Sequence, residues 1–152
     1  MKILADADAC PVKEQIIACA ETHDISVVMV ADVAHTFFYP QPFISVVTVD
    51  QGADSADIVL ANRTASGDIC ITADYGLASL LLAKNATVLH PNGFFFTTEN
   101  IDRMLFERHI SRELRRHKKN RGVHIRKRTK ADDEKFLAAL EKAISQKNSG
   151  LP

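Results

Sequence analysis

Hydrophobic and polar positions follow two different periods along the chain. Short apolar runs, several of them rich in β-branched residues, predict strands at 3–5, 26–31, 45–49, 69–72 and 87–89. Between them, apolar residues recur every three to four positions, which predicts helices at 12–22, 55–64, 77–84 and from 101 to about 118. Strands that alternate with helices indicate βαβ units, and hence an α/β fold with a doubly wound, mostly parallel sheet of about five strands.

The stretch HTFFYPQPF at 35–43 breaks this alternation, because its two prolines cannot continue a central strand. We expect a loop there. If exposed, Phe37, Phe38 and Tyr39 would stack on bases or contact a second subunit of a homo-oligomer. If folded back, they would cover the core. The same two interpretations apply to the aromatic run at 94–96.

The last 35 residues differ from the rest in pattern. Residues 118–131 are basic with little apolar content, whereas Phe136, Leu137, Leu140 and Ile144 follow a helical spacing. We therefore expect one α/β domain over 1–117. Residues 118–152 then form a basic linker and a C-terminal helix, packed on that domain or extending from it.

Length and composition favour an ordinary globular protein. The chain has 152 residues, 46% of them hydrophobic and 25% charged, as in a single domain. No run approaches the roughly 18 apolar residues of a membrane span, and the N-terminus resembles a strand rather than a signal sequence. We expect a cytoplasmic protein with no membrane partner. The three cysteines occur in no C-x-x-C spacing, so neither a disulfide framework nor a structural zinc site is indicated.

Charge is unevenly distributed although the net charge is zero. Residues 1–102 carry thirteen Asp and Glu against four Lys and Arg, whereas residues 103–130 carry twelve Lys and Arg against two Glu. Either the basic segment pairs with the protein's own acidic body, or it meets a polyanion such as nucleic acid.

Aspartates recur where predicted strands give way to helices. Asp6 and Asp8 follow the first strand, Asp54 and Asp57 open the second helix, and Asp74 opens the third. Each could simply cap its helix. In a parallel sheet, however, all of these junctions lie at one edge, where ligands bind. Crowded carboxylates repel one another unless a cation intervenes, and oxygen ligands suit Mg²⁺ or Mn²⁺.

The chemistry that such a site supports is phosphoryl transfer, because a bound divalent cation polarises a phosphate oxygen and activates water. We expect the five aspartates to be both metal ligands and catalytic residues. The basic residues would hold a nucleic acid by its phosphates without reading its sequence. The candidates for this contact are Lys13, Arg108, Arg112, Arg115, Arg116, Lys118, Lys119, Arg121, Arg126 and Arg128.

Several motifs in order along the chain resemble the YaiI/YqxD family of uncharacterised bacterial proteins. The motifs are ADADACPVKEQI, GADSADIVLANRTASGDICITADYGLA, the turn at 91–93, the threonines before Asn100-Ile101 and the ending at 136–140. That family in turn resembles PIN-like domains, commonly metal-dependent ribonucleases with a three-layer α/β/α fold. The resemblance therefore implies this fold and favours RNA over DNA as the substrate.

The same resemblance implies roles for individual acids. Asp6 is similar to the first-strand acid of PIN-like domains, Asp54 or Asp57 to the acid that opens the middle helix, and Asp74 to the acid after the fourth strand. Asp8 is an additional acid characteristic of the family. The chain departs from the family pattern at Tyr75-Gly76, where an apolar-proline pair is usual, and at Gly122-Val123, where Gly-Pro is usual. The first departure borders the predicted site.

Two other functions fit the same residues. A non-catalytic module would bind RNA or a protein through the basic segment, with the acids acting only as caps; its RNA affinity would fall steeply with salt and ignore chelators. A haloacid-dehalogenase-like phosphatase would use Asp6 as nucleophile and Asp8 as acid, with Thr72 and Lys84 as partners. A catalytic role for Cys10 is disfavoured because the adjacent acids oppose thiolate formation.

Overall fold

Strands and helices alternate along the chain as the hydrophobic pattern predicts. The computed structural model describes residues 1–8, 10–32, 38–50, 55–117 and 126–150. In order, its elements are β1 (Ile3–Asp6), α1 (Lys13–Thr22), β2 (Val27–Asp32), β3 (Ile44–Val49), α2 (Ser55–Arg63), β4 (Ile69–Ile71), α3 (Tyr75–Ala83), β5 (Thr87–Leu89), β6 (Phe95–Phe96), α4 (Ile101–His117) and α5 (Lys130–Asn148). The predicted strands and helices are all found within two residues of their expected boundaries, except that the C-terminal helix is longer.

The six strands form one sheet in the order β3-β2-β1-β4-β5-β6. The first five strands are parallel, and only β6 is antiparallel to its neighbour β5. Strand β1 lies in the middle, and the chain moves outward from it first toward β3 and later toward β5. The crevice beyond the carboxyl end of β1 is therefore a topological switch point, the usual position of a ligand site in such sheets.

Strand β6 was not predicted, because it is only two residues long and lies inside an aromatic run. A tight turn creates it. The His90 N–H donates to the Phe94 carbonyl at 2.9 Å, and the Gly93 N–H donates to the His90 carbonyl at 2.8 Å. The chain reverses there, so that Leu89 pairs with Phe95.

Helices cover both faces of the sheet. Alternate residues of β1 point to opposite faces: Ile3 and Ala5 join a core with α1 and α5, whereas Leu4 joins a core with α2, α3 and the start of α4. The predicted three-layer α/β/α architecture is confirmed.

The C-terminal helix α5 belongs to the first core. It begins at a capping box, in which the Thr129 hydroxyl accepts from the Asp132 N–H and the Asp132 carboxylate accepts from the Thr129 N–H at 2.9 Å. Further along, Phe136, Leu140 and Ile144 are fully buried. Because these side chains pack with α1 and β1, α5 completes one layer of the domain.

Some sequence-based predictions concern residues outside the described ranges: Phe37, Asp54, Lys118, Lys119, Arg121 and Gly122-Val123. In the loop that precedes β3, Phe38 is 85% exposed, whereas Tyr39 and Phe43 pack against the first core. The aromatics that can be placed are thus divided between the two interpretations. None of the helices in the described ranges has the length and apolar character of a transmembrane span.

Candidate functional site

A cleft of about 240 Å³ opens at the carboxyl edge of the sheet, beyond the ends of β1 and β4. Its acidic residues are Asp6 from the end of β1, Asp57 from the first turn of α2 and Asp74 from the start of α3. The structure therefore brings together one aspartate from each of the three predicted strand-to-helix junctions. The other lining residues are Cys10, Ile71, Thr72, Ala73, Pro91 and Arg108.

Asp6 is the acid whose electrostatics are most perturbed. Burial raises its pKa; the hydrogen bond from the Asp8 N–H to Asp6 Oδ1, at 3.1 Å, lowers it, but the charges of Asp8 and Asp74 raise it again. Lys13 offsets only part of this effect. The net shift is upward, as expected for a half-buried carboxylate that faces like charges. A cation bound beside Asp6 would relieve this conflict.

Asp74 serves as a helix cap and also lines the cleft. Its Oδ1 accepts from the Leu77 N–H at 2.9 Å, and its own N–H donates to the buried Thr72 hydroxyl at 3.0 Å. Asp74 therefore caps α3, as the capping interpretation predicted, and the cap occupies one of its two carboxylate oxygens. The cap fixes the side chain at the cleft wall. Gly76 adds to this close packing, since a Cβ there would lie 3.3 Å from Asp74 Oδ1.

Asp8 and Lys13 shape the connection between β1 and α1. Asp8 Oδ2 accepts from the Asp32 N–H at 2.7 Å, which joins this connection to the end of β2, and Lys13 Nζ donates to the Ala7 carbonyl at 2.9 Å. Neither side chain is among the described residues that line the cleft. The chain bends directly after Asp6, so Asp6 and Asp8 do not lie together on one extended strand. Asp8 acts on the site through its charge.

Arg108 brings a positive charge to the acidic cleft. It comes from α4, and its guanidinium carbon lies 5.1 Å from the centroid of the Tyr75 ring, a cation–π arrangement. Tyr75 is held edge-on against Phe96, with ring centroids 5.3 Å apart. Tyr75 thus supplies the surface on which Arg108 rests. The sequence placed Arg108 in a basic helix but gave no signal that α4 packs beside α3 and brings this arginine to the cleft.

Other basic residues of α4 continue from this point. Arg112 lies beside Arg108 in a groove of about 270 Å³ that also contains Asp74 and Tyr75. Arg115 lies near Arg108 on another part of the same helix surface. Arg116 instead lies 3.5 Å from Glu113 within the helix. Among the arginines of α4, Arg108 therefore lines the cleft, and Arg112 shares the neighbouring groove with it.

The basic residues before α5 have structural partners. Arg126 pairs with Asp132 at 2.8 Å, and Arg128 pairs with Asp133 at 2.6 Å. Arg128 also donates to the Pro91 carbonyl at 2.8 Å, which joins the start of α5 to the cleft rim. These contacts fix the C-terminal segment; a role for Arg126 and Arg128 in nucleic-acid binding stays a prediction.

Cys10 and Thr72, which both line the cleft, are residues that the alternative mechanisms would use. Burial raises the pKa of the Cys10 thiol, so Cys10 stays protonated at neutral pH and is a poor nucleophile. Thr72 lies in the cleft as the phosphatase scheme requires, but Lys84 Nζ donates to the Ala61 carbonyl at the end of α2. Lys84 is therefore bound at α2 and is not among the described residues that line the cleft, where the phosphatase scheme needs it.

Comparison with known proteins agrees with the motifs. The family model described as "Uncharacterized BCR, YaiI/YqxD family" matches residues 4–146. The chain belongs to the YaiI/YqxD family. It is 46% identical over 149 residues to a UPF0178 protein of Natranaerobius thermophilus, covering 98% of this chain and 99% of that one. A UPF0178 protein of Alkaliphilus oremlandii is 51% identical over 136 residues, or 90% and 86% of the two chains.

No solved structure matches the chain significantly. The YaiI/YqxD family assignment confirms the resemblance seen in the motifs, and bacterial relatives match it over almost their whole length. Their names specify no reaction. A family or fold does not by itself determine a reaction, which depends on the residues of the cleft.

Proposed function

We propose that the protein is a divalent-metal-dependent nuclease that hydrolyses phosphodiester bonds, with RNA favoured over DNA. The observation that carries this proposal is the convergence of Asp6, Asp57 and Asp74 on one cleft beside Arg108. The three carboxylates, from separate elements, would bind a cation, and the guanidinium group beside them would bind a phosphate. This combination suits reactions at phosphate groups, which use a cation and a guanidinium together.

The donor set fits a hard cation. Carboxylate oxygens are the ligands that Mg²⁺ and Mn²⁺ prefer, and burial, together with the charges of Asp8 and Asp74, raises the pKa of Asp6. Asp6, Asp57 and Asp74 would hold the ion, with Asp54 as a further predicted ligand, whereas Asp8 would contribute its charge from outside the cleft. When bound, such an ion lowers the pKa of water and polarises a phosphate oxygen.

The protein's own residues would orient the substrate. Arg108 can bind two phosphate oxygens in parallel, and its packing on Tyr75 limits its motion before substrate arrives. Asp74 is similarly immobilised by its cap on α3. Groups held in place before the reaction lose little entropy when the transition state forms.

Arg112 and Arg115 would contact phosphates that flank the scissile bond. They lie along α4 beyond Arg108, so a strand that enters the cleft would pass over them. Contacts of this kind are independent of sequence and weaken as salt rises. We further propose a cytoplasmic location, which the three buried free cysteines support because such thiols persist in reducing compartments.

Cleavage of labelled RNA and DNA oligonucleotides with Mn²⁺ or Mg²⁺ tests the proposal. The native protein should cleave RNA, whereas Asp6→Asn should lose cleavage yet keep salt-sensitive binding. Arg108→Gln should weaken cleavage, and Arg103→Gln is the matched control because Arg103 lies on the same helix, 3.9 Å from Glu107.

Cleavage that persists in excess chelator or in Asp6→Asn would refute the metal-dependent mechanism. RNA binding with no cleavage under any divalent metal would refute the nuclease and favour the non-catalytic binding module instead. Preference for DNA over RNA would overturn the substrate assignment alone.

A further inference from the structure

A second group of potential metal ligands lies away from the cleft, where α1 and α5 pack together. Cys19 and His23 come from the last turn of α1 and the residue that follows it, and Glu141 comes from α5. The Cys19 thiol donates to Glu141 Oε1 at 3.3 Å, and His23 Nε2 lies 2.6 Å from Glu141 Oε2. Glu141 therefore contacts both of the other two side chains.

The spacing suits coordination of one ion. One sulfur, one imidazole nitrogen and one carboxylate oxygen, from Cys19, His23 and Glu141, all lie within 4.8 Å of one another. Cys19 and His23 are four residues apart, so they project from the same side of α1. Sulfur, nitrogen and oxygen ligands together favour zinc over the hard cations Mg²⁺ and Ca²⁺.

The surrounding core holds these donors in position. Ile16 and Ala20 of α1 and Leu140 and Ile144 of α5 are fully buried between the two helices and the sheet. Neither helix can shift without disturbing that core. A site whose ligands are fixed by packing loses little entropy when the ion binds.

The three ligand side chains can also be reached from solvent. Cys19 is 2% exposed, whereas the side chains of His23 and Glu141 are 27% and 43% exposed. An ion can therefore approach from the surface side and reach the buried sulfur last. A solvent molecule can complete a four-coordinate shell on the open side.

We propose that Cys19, His23 and Glu141 form a zinc-binding site that fastens α5 to α1. Binding replaces the thiol proton of Cys19, which is released to solvent, and a neutral His23 ring coordinates through Nε2 with its proton on Nδ1. Because the ion displaces the Cys19 thiol proton, zinc affinity should increase with pH. The site is independent of the proposed nuclease activity.

Cobalt titration of the metal-free, full-length protein tests the site. Co²⁺ bound to a cysteine thiolate gives a sulfur-to-metal charge-transfer absorption that carboxylate sites lack. The native protein should show this absorption, and added Zn²⁺ should remove it whereas excess Mg²⁺ should not. Zn²⁺ should also raise the melting temperature.

Variants assign the signal to its ligands. Cys19→Ser and His23→Gln should lose the absorption and the zinc-induced rise in melting temperature. Cys10→Ser is the matched control, because Cys10 is a buried cysteine at the aspartate cleft, and it should keep both. Asp6→Asn should keep both as well.

A native protein that gives no charge-transfer absorption overturns the proposal, as does an absorption that survives Cys19→Ser. Loss of the absorption in Cys10→Ser instead would place the bound ion in the aspartate cleft and would equally overturn it. His23 lies partly at the surface, so His23→Gln provides a folded variant if Cys19→Ser is unstable.

Discussion

Replacement of Phe136 by alanine measures how firmly the C-terminal helix is joined to the domain. Phe136 is the largest fully buried side chain in the described residues, and it packs in the core that α5 shares with α1 and β1. Removing a buried phenylalanine side chain costs about 3–5 kcal/mol, from lost burial and from the cavity left behind. A domain of this kind has a total stability of only about 5–15 kcal/mol.

The loss should be visible in both chemical and thermal unfolding. For a chain of this length, each kcal/mol lowers the melting temperature by about 2–4 °C, so Phe136→Ala should melt about 6–20 °C below the native protein. Urea unfolding followed by circular dichroism gives the free energy directly. Because the chain has no tryptophan, circular dichroism is a better probe than fluorescence.

Leu114→Ala is the control for this experiment. Leu114 is an apolar helical residue on α4 that is 55% exposed, so its truncation should change stability by no more than about 0.5 kcal/mol. If Phe136→Ala were as mild as Leu114→Ala, α5 would not be an integral part of the core, and the layer arrangement described above would be wrong.

Further predictions concern the cleft and the turn at its rim. Asp74→Ala should lower the free energy of unfolding by about 1 kcal/mol because the α3 cap is lost. Asp74→Asn should keep the cap, so equal urea unfolding curves for the two variants would contradict this prediction. Asp6→Asn should stabilise the metal-free protein at neutral pH, because burial raises the pKa of Asp6 and its charge is unfavourable in the fold. That gain should be absent below the ordinary carboxyl pKa, grow as pH rises from there toward the raised pKa, and be complete above it; melting temperatures across pH test it, and a constant difference would contradict it. Gly93→Ala should destabilise about 1–3 kcal/mol more than Gly67→Ala: both glycines have φ near +90°, but only at Gly93 would a Cβ lie 2.9 Å from the Lys135 backbone. Equal losses in urea unfolding would exclude that close approach.

Local sequence patterns predicted most of the fold. The periods of hydrophobic residues are set by which face of each element is buried, so β1 to β5 and α1 to α4 could be placed from the sequence. The parallel topology then predicted that Asp6, Asp57 and Asp74 would meet at one edge, since all strand-to-helix junctions lie there.

Features that depend on packing between distant segments could not be predicted in the same way. Arg108 packs on the Tyr75 ring because α4 lies beside α3. The period of the hydrophobic residues does not show which helices are neighbours, so this contact could not be predicted. The Cys19, His23 and Glu141 group was missed for a similar reason. Two of its members have a suitable spacing on α1, but the third lies more than a hundred residues away on α5.

Calorimetric titration with Mn²⁺ tests the central claim most directly. The metal-free native protein should bind Mn²⁺, as should Cys19→Ser, whose change lies at the separate zinc-type site. The double variant Asp6→Asn/Asp74→Asn keeps hydrogen-bond acceptors at both positions and should remain folded by circular dichroism, yet bind no Mn²⁺. Equal binding by the native protein and the folded double variant, or binding by neither even with nucleotide present, would contradict a metal site in the aspartate cleft.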